Sequence, residues 1–68
     1  MYAIDLIKRV PGSEVSEIVI TTEPDAETKE AAISVGHRVF RSRGTEVGAE
    51  GFRVTQRGSG EIVCIWYA

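Results

Sequence analysis

The stretch 51-GFRVTQRGSGEIVCIWYA-68 has the pattern of a β-hairpin, and the rest of the predicted fold is built around it. Apolar and polar side chains alternate from residue 51 to 57, which is the period of a half-buried strand. Residues 58–60 supply a glycine-rich turn, and the β-branched and aromatic residues of 61–68 return as a second strand. The pairs predicted by a three-residue turn are Val54 with Cys64, Phe52 with Trp66, and Arg57 with Glu61.

A second hairpin is predicted at the N-terminus. Residues 2–9 alternate as a strand, a Pro-Gly turn signal lies within 10–14, and residues 15–22 are rich in β-branched side chains. Two registers compete. The first pairs Ile18 with Leu6 and Ile20 with Ile4. The second, shifted by one residue, pairs Lys8 with Glu17. We favour the first, because burial of apolar side chains outweighs one exposed ion pair.

A single helix is predicted between the hairpins. It opens at 22-TEPD-25, where Thr22 caps it and Pro24 suits the first turn, and it ends at Gly44 after Arg43. Its apolar side holds Ala32, Ile33, Val35, Gly36, Val39 and Phe40. Its polar side holds Glu27, Glu30, Ser34, His37, Arg38 and Arg41. The predicted fold is α+β, in the order β-β-α-β-β, as one domain over 1–68 with the helix on one face of a four-stranded, mostly antiparallel sheet.

One helix can cover only one face of this sheet. The covered side is expected to hold Tyr2, Ile4, Leu6, Ile18, Ile20, Phe52, Val54, Ile62, Cys64 and Trp66. The other side is expected to hold Ile7, Val19, Val63, Ile65 and Tyr67, edged by Asp5, Glu17, Arg53 and Arg57. An apolar centre with a charged rim is typical of an interface, so we predict a homodimer formed through the sheet. The alternative is that single exposed apolar residues need no partner.

The stretch 36-GHRVFRSRG-44 concentrates basic residues in a chain whose formal net charge is −2. Candidate nucleic-acid contacts are His37, Arg38, Arg41, Arg43, Arg53 and Arg57. The helix dipole already favours basic residues at a helix C-terminus, and Arg53 and Arg57 are expected on the opposite sheet face. We therefore favour helix-end electrostatics over nucleic-acid binding.

Enzyme signatures are weak. One cysteine and one histidine cannot complete a four-ligand zinc site, and no nucleophile–base pair is recognisable. We expect no catalytic residue, cofactor or metal. The single Cys64 and the absence of a signal-peptide or membrane-span pattern favour the cytoplasm. The expected function is a small non-enzymatic binding or regulatory module, with a protein partner beside its own second copy. A nucleic-acid-binding module and an accessory subunit of a larger complex are the alternatives.

Overall fold

One antiparallel four-stranded sheet with a helix across one face makes up the computed structural model, which describes residues 1–12 and 16–68. The strands stand side by side in the order β2-β1-β3-β4. The predicted fold class is confirmed. The elements are β1 (Tyr2–Arg9), β2 (Ser16–Thr22), α1 (Lys29–Val39), a π-helical turn (Phe40–Gly44), α2 (Thr45–Val47), β3 (Gly51–Gln56) and β4 (Ile62–Tyr67).

The two hairpins join through their first strands, so β1 and β3 are central while β2 and β4 are edges. Residues 3–7 of β1 are buried on both faces, because the side chains of the neighbouring strands β2 and β3 surround theirs. Ile4 and Leu6 lie under the helix, and Asp5 and Ile7 are buried on the opposite face. The turn predicted over 10–14 and the predicted start of β2 at Val15 fall partly outside the described residues.

The register predicted for the N-terminal hairpin is wrong, because β2 contains a bulge. The observed pairs are Leu6 with Ile20, Ile7 with Ile18, and Lys8 with Glu17. Val19 is the extra residue between Ile18 and Ile20. Because of this insertion, the two halves of β2 pair with β1 in different registers. The Lys8–Glu17 ion pair of the rejected register therefore forms, with 3.6 Å between Nζ and Oε2. Ile18 shares a face with Ile7 and is not beneath the helix.

The C-terminal hairpin has the predicted apolar pairs, Val54 with Cys64 and Phe52 with Trp66. A second bulge then places Ile62 opposite Thr55 and leaves Val63 as the extra residue. The predicted pairing of Arg57 with Glu61 is wrong, because the bulge shifts the strand. The Gln56 N–H donates to the Glu61 carbonyl, and Arg57 forms its ion pair with Glu23.

The helix begins and ends later than predicted. Thr22 belongs to β2, opposite Ile4, so Thr28 becomes the N-cap and its Oγ1 accepts from the Ala31 N–H at 3.1 Å. Gly44 does not stop the helix either. It has helical φ and is buried against the Phe40 ring, and α2 ends instead at Gly48, whose φ is 77°.

The core lies between α1 and the two central strands. Its fully buried side chains are Ile4, Leu6, Ala32, Phe52 and Val54. Gly36 sits directly on the Phe52 ring, so that an added Cβ would stand 2.5 Å from Phe52 Cε2. The Trp66 ring packs beside Phe52 and Phe40, at centroid distances of 5.5 and 5.2 Å. The helix therefore lies close to β3 at Gly36, and the aromatic rings fill the space toward β4.

Candidate interaction surfaces

The sheet face opposite α1, here called the open face, is more apolar at its edges than at its centre. Strand register assigns to it Ile7, Ile18, Ile62, Ile65 and Tyr67, together with Asp5, Thr21, Arg53 and Thr55. Ile18, Ile62 and Ile65 are 49%, 51% and 51% exposed. Two of these, Ile18 and Ile62, were predicted beneath the helix. The two bulges turn them to the open face, and no sequence signal marks either bulge.

The residues predicted to contact a partner differ in burial and in the sheet face on which they lie. Ile65 lies exposed on the open face as expected. Ile7 is 1% exposed within one chain, so almost none of its side chain remains for a partner to contact. Val63 packs against the helix-side core, because the bulge in β4 reverses its direction. Val19 is half-buried in the bulge of β2. Tyr67 is half-buried, with the Arg9 guanidinium 4.0 Å above its ring.

The centre of the open face is an ion pair that is satisfied within one chain. Asp5 is 6% exposed and lies opposite Arg53 on β3 and Thr21 on β2. Its Oδ2 accepts from Arg53 Nε and Nη2 at 3.1 and 2.8 Å. Its Oδ1 accepts from the Thr21 hydroxyl at 2.8 Å. Because both carboxylate oxygens have donors, this charge can stay buried without a large desolvation cost.

An open depression of about 550 Å³ begins at this ion pair and runs to the turn between β3 and β4. Arg57 and Gln56 line its far end, and Thr55 lies between. The Thr55 Oγ1 is buried and has no hydrogen-bond partner among the described residues. A buried hydroxyl of this kind usually finds a water or a ligand group, so the depression is polar at its base.

The basic candidates do not form one surface. Arg38, Arg41 and Arg43 are exposed on the helix side and make no ion pair with any described residue. Arg53 and Arg57 line the depression on the open face, and each pairs with a carboxylate, Asp5 and Glu23 respectively.

His37 is not the solvated residue of a polar helix face that its helical position predicted. Its ring makes edge contacts with Phe52 and Trp66, at centroid distances of 4.9 and 4.8 Å. The close approach at Gly36 explains this position, because the next residue along the helix is drawn down to the sheet. His37 therefore packs with the aromatic rings and does not lie with the exposed arginines as a candidate nucleic-acid contact.

Nucleic acid is expected to bind weakly. Mixed short DNA and RNA should bind no tighter than about 10⁻⁴ M at physiological salt, the weak end of non-specific affinity, because cations divided between two faces cannot follow one phosphate backbone. Fluorescence anisotropy with labelled oligonucleotides measures this affinity. Micromolar binding with a steep salt dependence, lost in the double variant Arg38→Glu/Arg41→Glu, would contradict it.

Comparisons with known proteins place the chain in no family. No protein-family model, curated protein or solved structure matches it significantly. Among residues 1–12 and 16–68, no group of three or more His, Cys, Asp or Glu side chains is arranged to hold a metal ion. Over the same residues, no helix is both long and apolar enough to cross a membrane.

Proposed function

We propose that this chain is a small, non-enzymatic protein-binding module that self-associates through the open face, and that it works in the cytoplasm. One observation carries the proposal: three half-exposed isoleucines surround an ion pair that is already satisfied. The cytoplasmic assignment is supported by the single free thiol, Cys64, which suits a reducing compartment.

The centre of the open face can lose its water at little electrostatic cost. Interfaces fail when they bury unpaired charges, and the Asp5–Arg53 pair leaves neither charge unpaired. Ile65 stands directly opposite Arg53, and Ile18 and Ile62 lie on the two edge strands. Apolar side chains thus flank a polar centre on both sides. A two-fold axis through that centre would set the isoleucines of one copy against those of the other.

The size of the face predicts a dimer of modest affinity. Four strands about 4.8 Å apart and about 20 Å long offer a footprint of roughly 400 Å². A standard interface buries about 800 Å² on each partner, so this face is at the small end of the range. We therefore expect dissociation in the micromolar range, with association driven by the isoleucines.

Replacing Ile65 with lysine is expected to weaken the dimer by at least about tenfold. The new ammonium would stand beside Arg53, and an isologous interface would contain the substitution twice. Sedimentation equilibrium or light scattering across micromolar to millimolar concentrations gives the dissociation constant. Ile18→Lys should act in the same direction from the other edge of the face.

Ser42→Lys is the matched control, because Ser42 is exposed in the π-helical turn on the other side of the sheet. It adds the same charge and should leave the dimer unchanged. A wild-type chain that stays monomeric up to about 1 mM would contradict self-association. A dimer equally insensitive to Ile65→Lys and Ile18→Lys would show that the open face is not the interface.

A further inference from the structure

A groove of about 450 Å³ lies between Trp66 of β4 and the side of α1 and the π-helical turn that faces it. Ser34, His37 and Arg41 form its helix wall, since residues three and four apart share one side of a helix. Phe40 and Trp66 form an aromatic wall, with their rings in edge contact at 5.2 Å. The groove therefore has an aromatic wall and a polar wall, with one arginine among its lining residues.

The strand beside this groove has an open edge at Ile65. The Ala68 N–H donates to the Glu50 carbonyl at 2.9 Å, and Trp66 pairs with Phe52 two residues earlier. Inward and outward peptide groups alternate in an antiparallel pair, so the Ile65 N–H and C=O point away from β3. Because no described strand lies beyond β4, this residue can receive an added chain.

We propose that an extended acidic peptide segment of a partner protein binds here as a fifth strand along β4. Alternate side chains of a strand lie about 6.6 Å apart on one side. A bulky apolar side chain can then fill the groove against Trp66 while a carboxylate two residues away reaches Arg41. Arg38 and Arg43 add positive potential on the same helical stretch, and none of the three arginines is paired with a described residue.

A peptide fits this edge better than a second copy of β4. The strand 62-IVCIWY-67 contains no charged residue, so pairing it with itself would leave Arg41 without a counter-ion. This site is on a different surface from the open face and does not depend on self-association. The two proposals can therefore fail separately: Arg41→Glu should leave the dimer intact, and Ile18→Lys should leave the groove intact.

The probe is a pair of seven-residue peptides of alternating threonine and valine. Each has a central phenylalanine, followed two residues later by glutamate in one peptide and by lysine in the other. The glutamate peptide is expected to bind at least about tenfold more tightly, because only its charge complements Arg41. Arg41→Glu should reverse that preference. The control Arg43→Glu makes the same charge change outside the groove lining and should alter affinity by less than about threefold.

Binding is measured by anisotropy of labelled peptide and by the emission of Trp66, which is the only tryptophan of the chain. Hydrogen exchange at the Ile65 amide should slow when the glutamate peptide is bound. The proposal is overturned by equal affinity for the two peptides, by no binding up to about 1 mM, or by unchanged exchange at Ile65. Protection of that amide by rising protein concentration alone, if it persists in Ile18→Lys, whose open-face dimer is weakened, would assign the edge to a second copy and would equally overturn the proposal.

Discussion

Replacing Phe52 with alanine is expected to leave the chain largely unfolded at room temperature. The Phe52 side chain is fully buried, lies against Gly36 of the helix, and contacts the rings of His37 and Trp66. Removing a buried phenylalanine costs about 3–5 kcal/mol, because the cavity adds to the lost transfer free energy. A 68-residue domain has a free energy of unfolding of only about the same size. Urea titration followed by far-UV circular dichroism measures the loss.

Phe40→Ala is the matched control for this prediction. Phe40 is half-buried and its one described ring contact is with Trp66, so the same substitution should cost clearly less. The variant is expected to remain folded with a lowered urea midpoint. If Phe52→Ala proved no more damaging than Phe40→Ala, the packing of α1 on β3 could not be the main source of stability.

Gly51→Ala is expected to be nearly as damaging, although it adds only one methyl group. An added Cβ would overlap the carbonyl oxygen of Trp66 and approach Tyr67 Cα to 2.9 Å. Overpacking usually costs about 1–3 kcal/mol, and a side chain can often rotate to relieve it. Here the obstructing atoms are main chain, so relief requires β3 and β4 to separate. We expect a loss of about 3 kcal/mol or more in the free energy of unfolding.

Gly58→Ala separates this steric effect from the conformational freedom of glycine. Gly58 lies in the turn of the same hairpin, with φ of 95° and nothing within 4 Å of an added Cβ. Its replacement should cost only about 1–2 kcal/mol, the strain of a left-handed conformation. Thermal unfolding of both variants makes the comparison. Equal losses would contradict a main-chain clash at Gly51.

The elements and their order could be predicted from the sequence, since they depend on local patterns. Alternation, the Gly-Ser-Gly turn and helical periodicity depend on residues close together in the chain, and the pairing of Phe52 with Trp66 follows from a short turn. The helix start was wrong for a non-local reason. Thr22 has the chemistry of an N-cap, but pairing with Ile4 on a central strand draws it into the sheet.

The membership of the interaction surfaces could be predicted only in part. Ile65 was placed correctly, whereas Ile18 and Ile62 exchanged sides with the expected assignment. In a strand, one extra residue reverses every side chain beyond it. A bulge is stable when both halves of the strand pair more favourably with it than without it, and the neighbouring strand determines how favourable that pairing is. The alternation of apolar and polar residues therefore predicts the strands correctly. It does not predict which sheet face each side chain occupies beyond Val19 and Val63, because that depends on the neighbouring strand.

The α+β class, the two hairpins, the single amphipathic helix and a sheet face left uncovered by that helix can all be predicted from the amino-acid sequence. Each follows from residues near one another along the chain, because periodicity and turn chemistry act over short distances. Tertiary structure alone decided that β1 pairs with β3, which buries Ile7 and Asp5 and leaves β4 as an edge. It also decided that Gly36 meets Phe52, which brings the half-buried His37 ring against Phe52 and Trp66. The order of the strands and the close approach of the helix to the sheet depend on contacts between distant parts of the chain. The free energies of those contacts cannot be inferred from a local sequence pattern.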